Sequence, residues 1–252
     1  MAVITLLTDF GTTDAYVAEL KGALLSAAPS ASLVDVTHGV APGDVRSAAY
    51  VLGRAWRHFA PGTVHLAVVD PGVGTRRAAL ALRAHGHAFV GPDNGIFTGV
   101  LRGAEVEAVE LPVPEAAAPT FHGRDIFAPA AAALSDGRAL HLLGTPFTGI
   151  PERLATREPW HEGKTLIGEV IYVDRFGTLV TNFTAENLPG YATIEVEGAE
   201  VGALRRTYGD VPTGSLVAYA GSGGEIEIAV RDGSAARRLG IGVGGKIRAR
   251  LG

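Results

Sequence analysis

Asp9, Asp70 and His122 are the residues of this chain best placed to bind or activate a small molecule. Each stands in a glycine-containing loop beside a predicted strand or helix. A carboxylate offers two acceptor oxygens to a ribose diol, and a histidine near a carboxylate can move a proton. The simpler interpretation is that Asp9, the nearby Asp14 or a neighbouring threonine caps the following helix. No Gly-x-Ser-x-Gly stretch occurs, so the serine nucleophile of α/β-hydrolases is not indicated.

The loop over residues 70–77 contains two glycines and ends in two consecutive arginines. Its spacing matches neither the P-loop nor the dinucleotide-binding fingerprint, which leaves a turn that brings Asp70 close to an arginine. A structural turn with solvated arginines is the alternative. His85 and His87 could suggest a metal ion, but they lack partners at metal-ligand spacing, and a solvated hairpin turn explains them better.

The second half of the chain adds three candidates. Asp174 can accept hydrogen bonds from hydroxyls or an ammonium group, and Phe176 can cover a planar ring. Ser222 lies in a Gly-Ser-Gly-Gly stretch whose backbone amides can face an anion. The alternatives are a polar turn with a core phenylalanine for the first loop and an ordinary hairpin for the second.

Strands and helices alternate along the first 150 residues and would position the first three candidates. Apolar runs predict strands at 3–7, 33–37, 63–69 and 106–111, a hairpin from 78–82 and 88–90, and helices at 15–28, 44–59 and 126–134. Residues 91–95 read as a turn. The pattern indicates an α/β domain with a central, mostly parallel sheet, which binds ligands beyond the carboxyl ends of its strands.

Short alternating runs from residue 165 onward predict a second, all-β and barrel-like domain with one short helix at 234–239. The expected boundaries are an α/β domain over 1–150, a linker over 151–163 and a β domain over 164–252.

The composition narrows the function classes. The 252 residues are 47% hydrophobic and 19% charged with a net charge of −4, which excludes a disordered chain and a basic nucleic-acid-binding surface. The low charge suggests extra buried surface, such as an oligomer interface. Cysteine is absent, so thiol nucleophiles, cysteine–zinc sites and disulfides are excluded. The amino-terminal apolar run is too short for a signal peptide or a membrane span, and we expect a cytoplasmic protein without membrane partners.

Six stretches, in their order and spacing, resemble one family over nearly the whole chain. They are TDFGTTD (8–14), VDPGVGT (69–75), GPDNG (91–95), TFHGRD (120–125), DRFG (174–177) and EIEIA (225–229). The family is the S-adenosyl-L-methionine (SAM) hydroxide adenosyltransferases, adenosine-forming SAM hydrolases related to the SAM-dependent fluorinase and chlorinase. The resemblance implies an α/β domain followed by a β-barrel domain. It also implies a homotrimer whose active sites lie between the first domain of one subunit and the second domain of its neighbour.

The resemblance further implies roles for individual residues. Asp70, Arg77 and His122 would form the catalytic set, with Arg77 preferred to its neighbour Arg76 by its spacing from Asp70. Asp9 would hold the ribose hydroxyls. The other implied substrate-binding residues are Phe121, Asp174, Phe176 and Ser222.

Three positions depart from the family or its halogenating relatives. Thr178 stands where the family often has an asparagine that reads adenine, so that role would pass to backbone groups near Arg231 and Asp232 or to Asn182. Gly43 stands where the halogenases have an aromatic residue. Gly123 stands where the fluorinase has a serine that helps to hold fluoride.

The implied reaction is hydrolysis of SAM to adenosine and L-methionine, with water or hydroxide attacking C5′ in line with the C–S bond. Methionine leaves as a neutral thioether, so neither a metal nor a cofactor is expected. A halogenase is disfavoured because Asp70 would place a negative charge near the incoming halide. A SAM or adenosine sensor with little turnover stays open. A metal-dependent hydrolase using Asp9, Asp14, Asp70 and Asp93 is a further alternative.

Overall fold

The structure is a computed structural model and describes residues 2–251. The chain divides after Leu154 into two compact units. Within the described residues, the first unit is built on a seven-stranded mixed sheet and the second on an eight-stranded antiparallel sheet.

The first unit alternates strands and helices and then adds antiparallel strands. Its elements are β1 (Val3–Thr8), α1 (Tyr16–Ala27), β2 (Ser32–Thr37), α2 (Val45–Ala55), β3 (Val64–Val68), β4 (Ala79–Ala84), β5 (His87–Pro92), β6 (Glu107–Glu110), α3 (Ala128–Ser135) and β7 (Thr145–Pro146). The sheet order is β2-β1-β3-β5-β4-β6-β7. The first four of these strands run parallel, and the remaining pairings are antiparallel. The expected α/β class with a parallel centre is confirmed, and the sheet is mixed because β4 and β5 form the predicted hairpin.

Helices cover both faces of this sheet, which explains why its central strands are continuous apolar runs. Leu6 of β1 packs in the cluster that includes Leu20 and Leu24 of α1. The next residue, Leu7, packs in the opposite cluster with Leu52 of α2. Successive side chains of a strand point to opposite faces, so β1 is buried on both sides.

The predicted element boundaries need four corrections. Helix α1 begins without a side-chain cap at Ala15, so Asp14 does not cap it. The second predicted helix ends as an α-helix at Ala55, where a 3-10 turn (Trp56–His58) follows. A π-helical turn (Gly123–Phe127) precedes α3. Finally, β5 extends through Pro92 into the segment predicted as a turn.

The parallel strands bring two candidate residues to the same edge of the sheet. Thr8 of β1 is the register partner of Val68 of β3. Asp9 follows directly after β1, and Asp70 follows two residues after the end of β3. Because parallel neighbours end at the same edge, both carboxylates stand where open α/β sheets bind ligands.

The segment expected as a linker, residues 151–163, is structured near both of its ends. The backbone N–H of Glu152 donates to Asp93, and that of Leu154 donates to Thr98, each over 2.8 Å. Trp160–Glu162 forms a short strand that pairs with the next one along the chain. The start of this segment is therefore bonded to the first unit, and its end is part of the second unit.

The second unit is an antiparallel, nearly closed barrel-like sheet. Its elements are β8 (Trp160–Glu162), β9 (Thr165–Val173), β10 (Leu179–Thr184), β11 (Thr193–Val196), β12 (Ala199–Ala203), β13 (Leu216–Ala220), β14 (Glu225–Val230), α4 (Ala235–Leu239) and β15 (Lys246–Arg250). The sheet runs β12-β11-β15-β9-β10-β14-β13, with β8 on β9. Just beyond β12, Arg205 donates to the carbonyl of Ala218 in β13 over 2.8 Å, which brings the two edge strands together. The predicted all-β, barrel-like unit with its short helix is confirmed.

No helix among residues 2–251 combines the length and the apolar character needed to cross a membrane.

Candidate active site

Asp70 and Arg77 form a bidentate ion pair inside one loop. Two successive turns fold residues 70–77 back on themselves, with Val73 donating to the carbonyl of Asp70 and Thr75 to that of Gly72. Nε of Arg77 then lies 3.0 Å from each oxygen of Asp70, and Nη2 donates to Oδ2. Both side chains are more than nine-tenths buried, whereas Arg76 is exposed. Arg77 is thus the arginine that faces Asp70.

The glycine at position 74 is required for this loop. Its φ is +76°, a region that side chains with a Cβ rarely adopt. A Cβ there would also lie 2.9 Å from the carbonyl oxygen of Pro119. The close approach brings the Asp70 loop against the segment that leads to His122.

His122 completes the set through the same guanidinium. Nη2 of Arg77 lies 2.9 Å from Nδ1 of His122, and the histidine is buried. An arginine can only donate, so Nδ1 must accept and a neutral ring carries its hydrogen on Nε2. Within residues 2–251, no hydrogen bond engages that Nε2 atom. This tautomer is assigned from the hydrogen-bond partner of the ring.

The surroundings of His122 keep the ring neutral. Burial lowers the pKa of His122, and the charge of Arg77 lowers it further, against the smaller opposing effects of Asp70 and Asp125. A neutral ring that accepts at Nδ1 can donate at Nε2 but cannot take a proton there. In this state His122 is a hydrogen-bond donor, and Asp70 is the proton acceptor of the three.

A cavity of about 220 Å³ opens in front of these residues. Asp9, Phe10, Asp70, Phe121, His122 and Gly123 are among its lining residues. Arg77 is not among them, so it lies behind Asp70 and His122 and acts on the cavity through them. The sequence-predicted residues of the first unit therefore converge on one place.

Asp9 has one oxygen fixed and turns its carboxylate toward the cavity. The backbone N–H of Gly43, a residue with a φ of +75°, donates to Oδ2 of Asp9 over 2.8 Å. The remaining lone pairs suit a pair of neighbouring hydroxyls. A backbone anchor of this kind sets the direction of the carboxylate without using both of its oxygens.

An aromatic group forms one wall of the cavity. Phe10 and Phe121 meet edge to face with ring centroids 5.6 Å apart, and Tyr16 packs against both. Arg124 lies over Phe121, 4.9 Å from the ring centroid. A Cβ at Gly123 would lie 3.2 Å from Cζ of Phe10, so glycine lets this ring approach the backbone beside His122.

In the second unit, Asp174 and Phe176 lie on a tight turn between β9 and β10. Oδ1 of Asp174 accepts from the backbone N–H groups of Phe176 at 2.9 Å and Thr178 at 2.8 Å. Gly177 has a φ of +82°, and a Cβ there would collide with Ser234. The turn presents Phe176 with 73% of its surface exposed, which is unusual for a phenylalanine held on a rigid turn.

Ser222 lies in the hairpin loop between β13 and β14. Gly221 donates to the carbonyl of Glu225 over 2.8 Å, and a Cβ at Gly221 would collide with the side chain of Glu227. Tyr219 faces Glu227 across the hairpin, and burial together with that carboxylate raises the pKa of Tyr219. The sequence analysis did not single out Tyr219, and it included Glu227 only within the EIEIA stretch.

The groups considered for adenine recognition already have partners within the second unit. Asn182 accepts from the N–H of Glu169 and donates to the carbonyl of Arg157, both over 2.8 Å. Arg231 donates to the carbonyl of Val211 over 2.8 Å, and Asp232 accepts from Thr213. Thr178 is buried.

The two histidines considered for metal binding differ in burial, because His85 is exposed on the turn between β4 and β5 whereas His87 is buried. His85 stacks on Trp56, and His87 lies 3.1 Å from the buried His65, measured from Nδ1 to Nε2. Across residues 2–251, no group of three or more His, Cys, Asp or Glu side chains could hold a metal ion. Asp9, Asp14, Asp70 and Asp93 accordingly form no such group.

The fold and the site define an α/β unit with a carboxylate–guanidinium–imidazole set at a strand edge, followed by a β-barrel-like unit. The chain belongs to the SAM hydroxide adenosyltransferase family. The model of the family's N-terminal domain matches residues 4–144, and that of its C-terminal domain matches residues 168–248.

Similar proteins have both known and unassigned functions. The (R)-S-adenosyl-L-methionine hydrolase of Thermus thermophilus is 42% identical over 98% of this chain and 99% of its own length. An uncharacterized conserved protein from Thermotoga maritima, known from a crystal structure, has a TM-score of 0.90 at 38% identity, over 98% of this chain and 99% of that one. A fluorinase from Nocardia brasiliensis is more distant, at 28% identity over 99% of this chain and 97% of its own.

Proposed function

We propose that this protein hydrolyses SAM to adenosine and L-methionine. The observation that carries the proposal is the buried Asp70–Arg77–His122 set, of which Asp70 and His122 line a cavity beside Asp9. The name of the Thermus thermophilus relative, an (R)-S-adenosyl-L-methionine hydrolase, supports the same reaction. The more distant fluorinase relative makes the halogenase the weaker alternative.

The reaction begins with a water molecule held in line with the C5′–S bond of SAM. The oxygen of this water forms a bond to C5′ while the C5′–S bond breaks, and its electron pair passes to sulfur. Methionine leaves as a neutral thioether, which needs no acid and no Lewis acid. The proton of the water passes to Asp70, and Nε2–H of His122 donates to the same oxygen and orients it. Holding the attacking water in this position lowers the activation barrier by roughly several kcal/mol.

Arg77 acts through its two partners. It fixes the orientation of the Asp70 carboxylate by a bidentate pair and holds His122 in the tautomer that donates toward the cavity. Since Arg77 does not line the cavity, its positive charge lies behind the water and not beside the sulfonium. The arrangement favours hydroxide character in the water without a metal ion or a cofactor.

Substrate binding is divided between the two units. Asp9 accepts hydrogen bonds from the ribose hydroxyls, and Phe121 packs against the nucleoside. In the second unit of a neighbouring subunit, Phe176 covers the adenosine while Asp174 and Ser222 bind the amino-acid end of SAM. Two features support this division: the cavity of about 220 Å³ is below the usual ~300–1,000 Å³ of ligand pockets, and Phe176 is 73% exposed.

The division implies a homotrimer with an active site at each subunit interface, and we place the enzyme in the cytoplasm. Mixing subunits tests the assembly. Chains carrying Asp70→Asn and chains carrying Asp174→Ala should each be inactive, whereas co-expressed mixtures should recover activity at about one quarter of the sites. Mixtures that stay inactive although light scattering shows mixed oligomers would contradict a shared site.

Product analysis tests the reaction itself. The purified protein is incubated with SAM in halide-free buffer, with and without a chelator, and the products are identified by chromatography and mass spectrometry. Equal amounts of adenosine and methionine, unchanged by chelator and lost in Asp70→Asn, would support the proposal. Tight SAM binding without turnover would favour the sensor, and turnover that needs added chloride would favour the halogenase.

A further inference from the structure

A line of polar side chains lies behind the loop that carries Asp9. Nδ1 of His38 lies 2.8 Å from Oγ1 of Thr8, and Nε2 of the same ring lies 3.2 Å from Oδ1 of Asp35. Lys21 holds the other oxygen of Asp35 at 2.7 Å. Burial alone would raise the pKa of Asp35, but Lys21 and His38 outweigh it and hold the pKa below its usual value. Asp35 is therefore a carboxylate that faces the imidazole.

A carboxylate, an imidazole and a hydroxyl in this order resemble a nucleophilic triad. Thr8 has no exposed surface, however, and His38 is only 6% exposed. A hydroxyl that no substrate can reach cannot attack one. The cluster therefore has a structural role. It supports the loop to which Thr8 and His38 are hydrogen-bonded.

Two hydrogen bonds connect the cluster to the substrate side of this loop. Oγ1 of Thr8 accepts from the backbone N–H of Phe10 over 3.2 Å. The carbonyl oxygen of His38 accepts from the N–H of Gly11 over 2.8 Å. Asp9 lies between these anchored positions, and both Asp9 and Phe10 line the cavity. His38 thus fixes the loop twice, once through its ring and once through its backbone.

We propose that His38 is a positioning residue for SAM, which holds Asp9 and Phe10 in the direction that binds the nucleoside. The inference rests on the proposed function. His38 acts on the ribose side and has no bond to Asp70, Arg77 or His122 in the described structure. Loss of its ring contact to Thr8 should weaken nucleoside binding and leave the attack of water intact.

Two substitutions of His38 test the contacts of its two ring nitrogens separately. The amide of asparagine occupies the place of Nδ1 and that of glutamine the place of Nε2. His38→Asn keeps a partner for Thr8, and His38→Gln keeps a partner for Asp35. We expect KM for SAM to rise about tenfold in His38→Gln, as for the loss of one hydrogen bond, with kcat within about threefold of wild type. His38→Asn should restore KM to within about threefold. Equal KM values in the two variants, or a fall in kcat without a rise in KM, would overturn the inference.

The double variant with Asp9→Ala tests whether His38 acts through Asp9. If it does, His38→Gln should raise KM little further in the Asp9→Ala background, because the group that it positions is gone. Full additivity would contradict the inference. Circular dichroism and thermal melts of each variant show whether it is folded.

Calorimetric titration with adenosine separates failure of this inference from failure of the proposed function. Weaker adenosine binding in His38→Gln, rescued in His38→Asn, supports the inference even if the wild type does not turn over SAM. Unchanged adenosine affinity in His38→Gln, alongside normal turnover, overturns the inference and leaves the proposed function standing. A wild-type protein that neither turns over SAM nor binds adenosine would overturn both.

Discussion

Nη2 of Arg77 lies 2.9 Å from Nδ1 of His122, while the same guanidinium holds both oxygens of Asp70. This single contact decides the hydrogen-bonding direction of the imidazole, because arginine has hydrogens to give and none to receive. It leaves a donor at Nε2 of His122 and a base at Asp70. The roles within the set follow from that assignment.

Substitution of Arg77 by lysine should impair the attack more than the binding of SAM. A lysine keeps the charge but loses the planar fork that bonds Asp70 and His122 together. We expect kcat to fall by about 10²-fold or more, within the range for general acid–base groups, with KM within about threefold. Steady-state kinetics measure both constants. The exposed neighbour provides a control, and Arg76→Lys should keep wild-type kinetics. A large rise in KM with unchanged kcat in Arg77→Lys would contradict the assigned role.

The dependence of kcat/KM on pH should show the lowered pKa of His122. Burial and the charge of Arg77 lower this pKa, so the neutral ring, which accepts from Arg77 at Nδ1, persists below the usual histidine value of about 6.5. Protonation at Nδ1 would break that contact and release the ring from its position. The acidic limb should therefore lie below pH 6.5, and activity should be lost only as the pH falls through the lowered pKa. Weakening the Arg77 contact should move the limb upward. An acidic limb near pH 7 or above in the wild type would contradict this account.

Serine at position 123 should not convert the enzyme into a halogenase. Its Cβ would lie 3.2 Å from Cζ of Phe10 and 3.5 Å from Cε2 of Phe121, so the aromatic wall must shift. We expect KM for SAM to rise about threefold to tenfold from this overpacking, with no chlorinated nucleoside formed in chloride buffer, because Asp70 stays charged. Gly22→Ser, where a Cβ meets open space, is the matched control. A chlorinated product from Gly123→Ser would show that Asp70 does not exclude halide.

The stability of the protein should fall on acidification because of a buried histidine in the first unit. Burial and the charge of His87 lower the pKa of His65 to about 3. At this residue the unfolded chain then binds one more proton than the folded one between pH ~6.5 and ~3, so His65 alone lowers the free energy of unfolding by about 1.4 kcal/mol per pH unit as the pH falls through that window. Urea denaturation at several pH values measures this slope.

Substitution of His65 tests the origin of that slope. His65→Asn keeps a hydrogen-bond partner for Thr5. It should reduce the slope by about 1.4 kcal/mol per pH unit, which is the contribution of one proton. The exposed His141→Asn is the matched control and should keep the wild-type slope. A wild-type slope that persists in His65→Asn would assign the acid sensitivity to other groups.

The convergence of Asp9 and Asp70 could be predicted from the sequence. Both follow apolar runs that alternate with helices, and parallel strands end at one edge of a sheet. The turn around residue 86 identified the β4–β5 hairpin. His122 and an arginine beside Asp70 were candidates from their loops, but their grouping into one catalytic set needed the resemblance to a family. No local pattern indicates that two loops about 45 residues apart meet through one guanidinium.

Other features depend on strand order, which local patterns do not contain. His65 and His87 meet because β3 and β5 are neighbours, whereas the sequence offered only the pair His85 and His87. Thr8 and His38 likewise meet through the neighbouring ends of β1 and β2. The spacing from Asp70 favoured Arg77 over Arg76, and the physical reason is that two turns direct the side chain of Arg77 toward Asp70.

The most direct test of the central claim is the fate of labelled water in a single turnover. SAM is incubated with an excess of enzyme in ¹⁸O-water, and the adenosine formed is analysed by mass spectrometry with fragmentation of the ribose. Direct attack predicts one ¹⁸O atom at the 5′ oxygen of adenosine, none elsewhere, and no labelled product from Asp70→Asn. Adenosine whose 5′ oxygen carries no ¹⁸O would show that the oxygen does not come from water and would contradict the account.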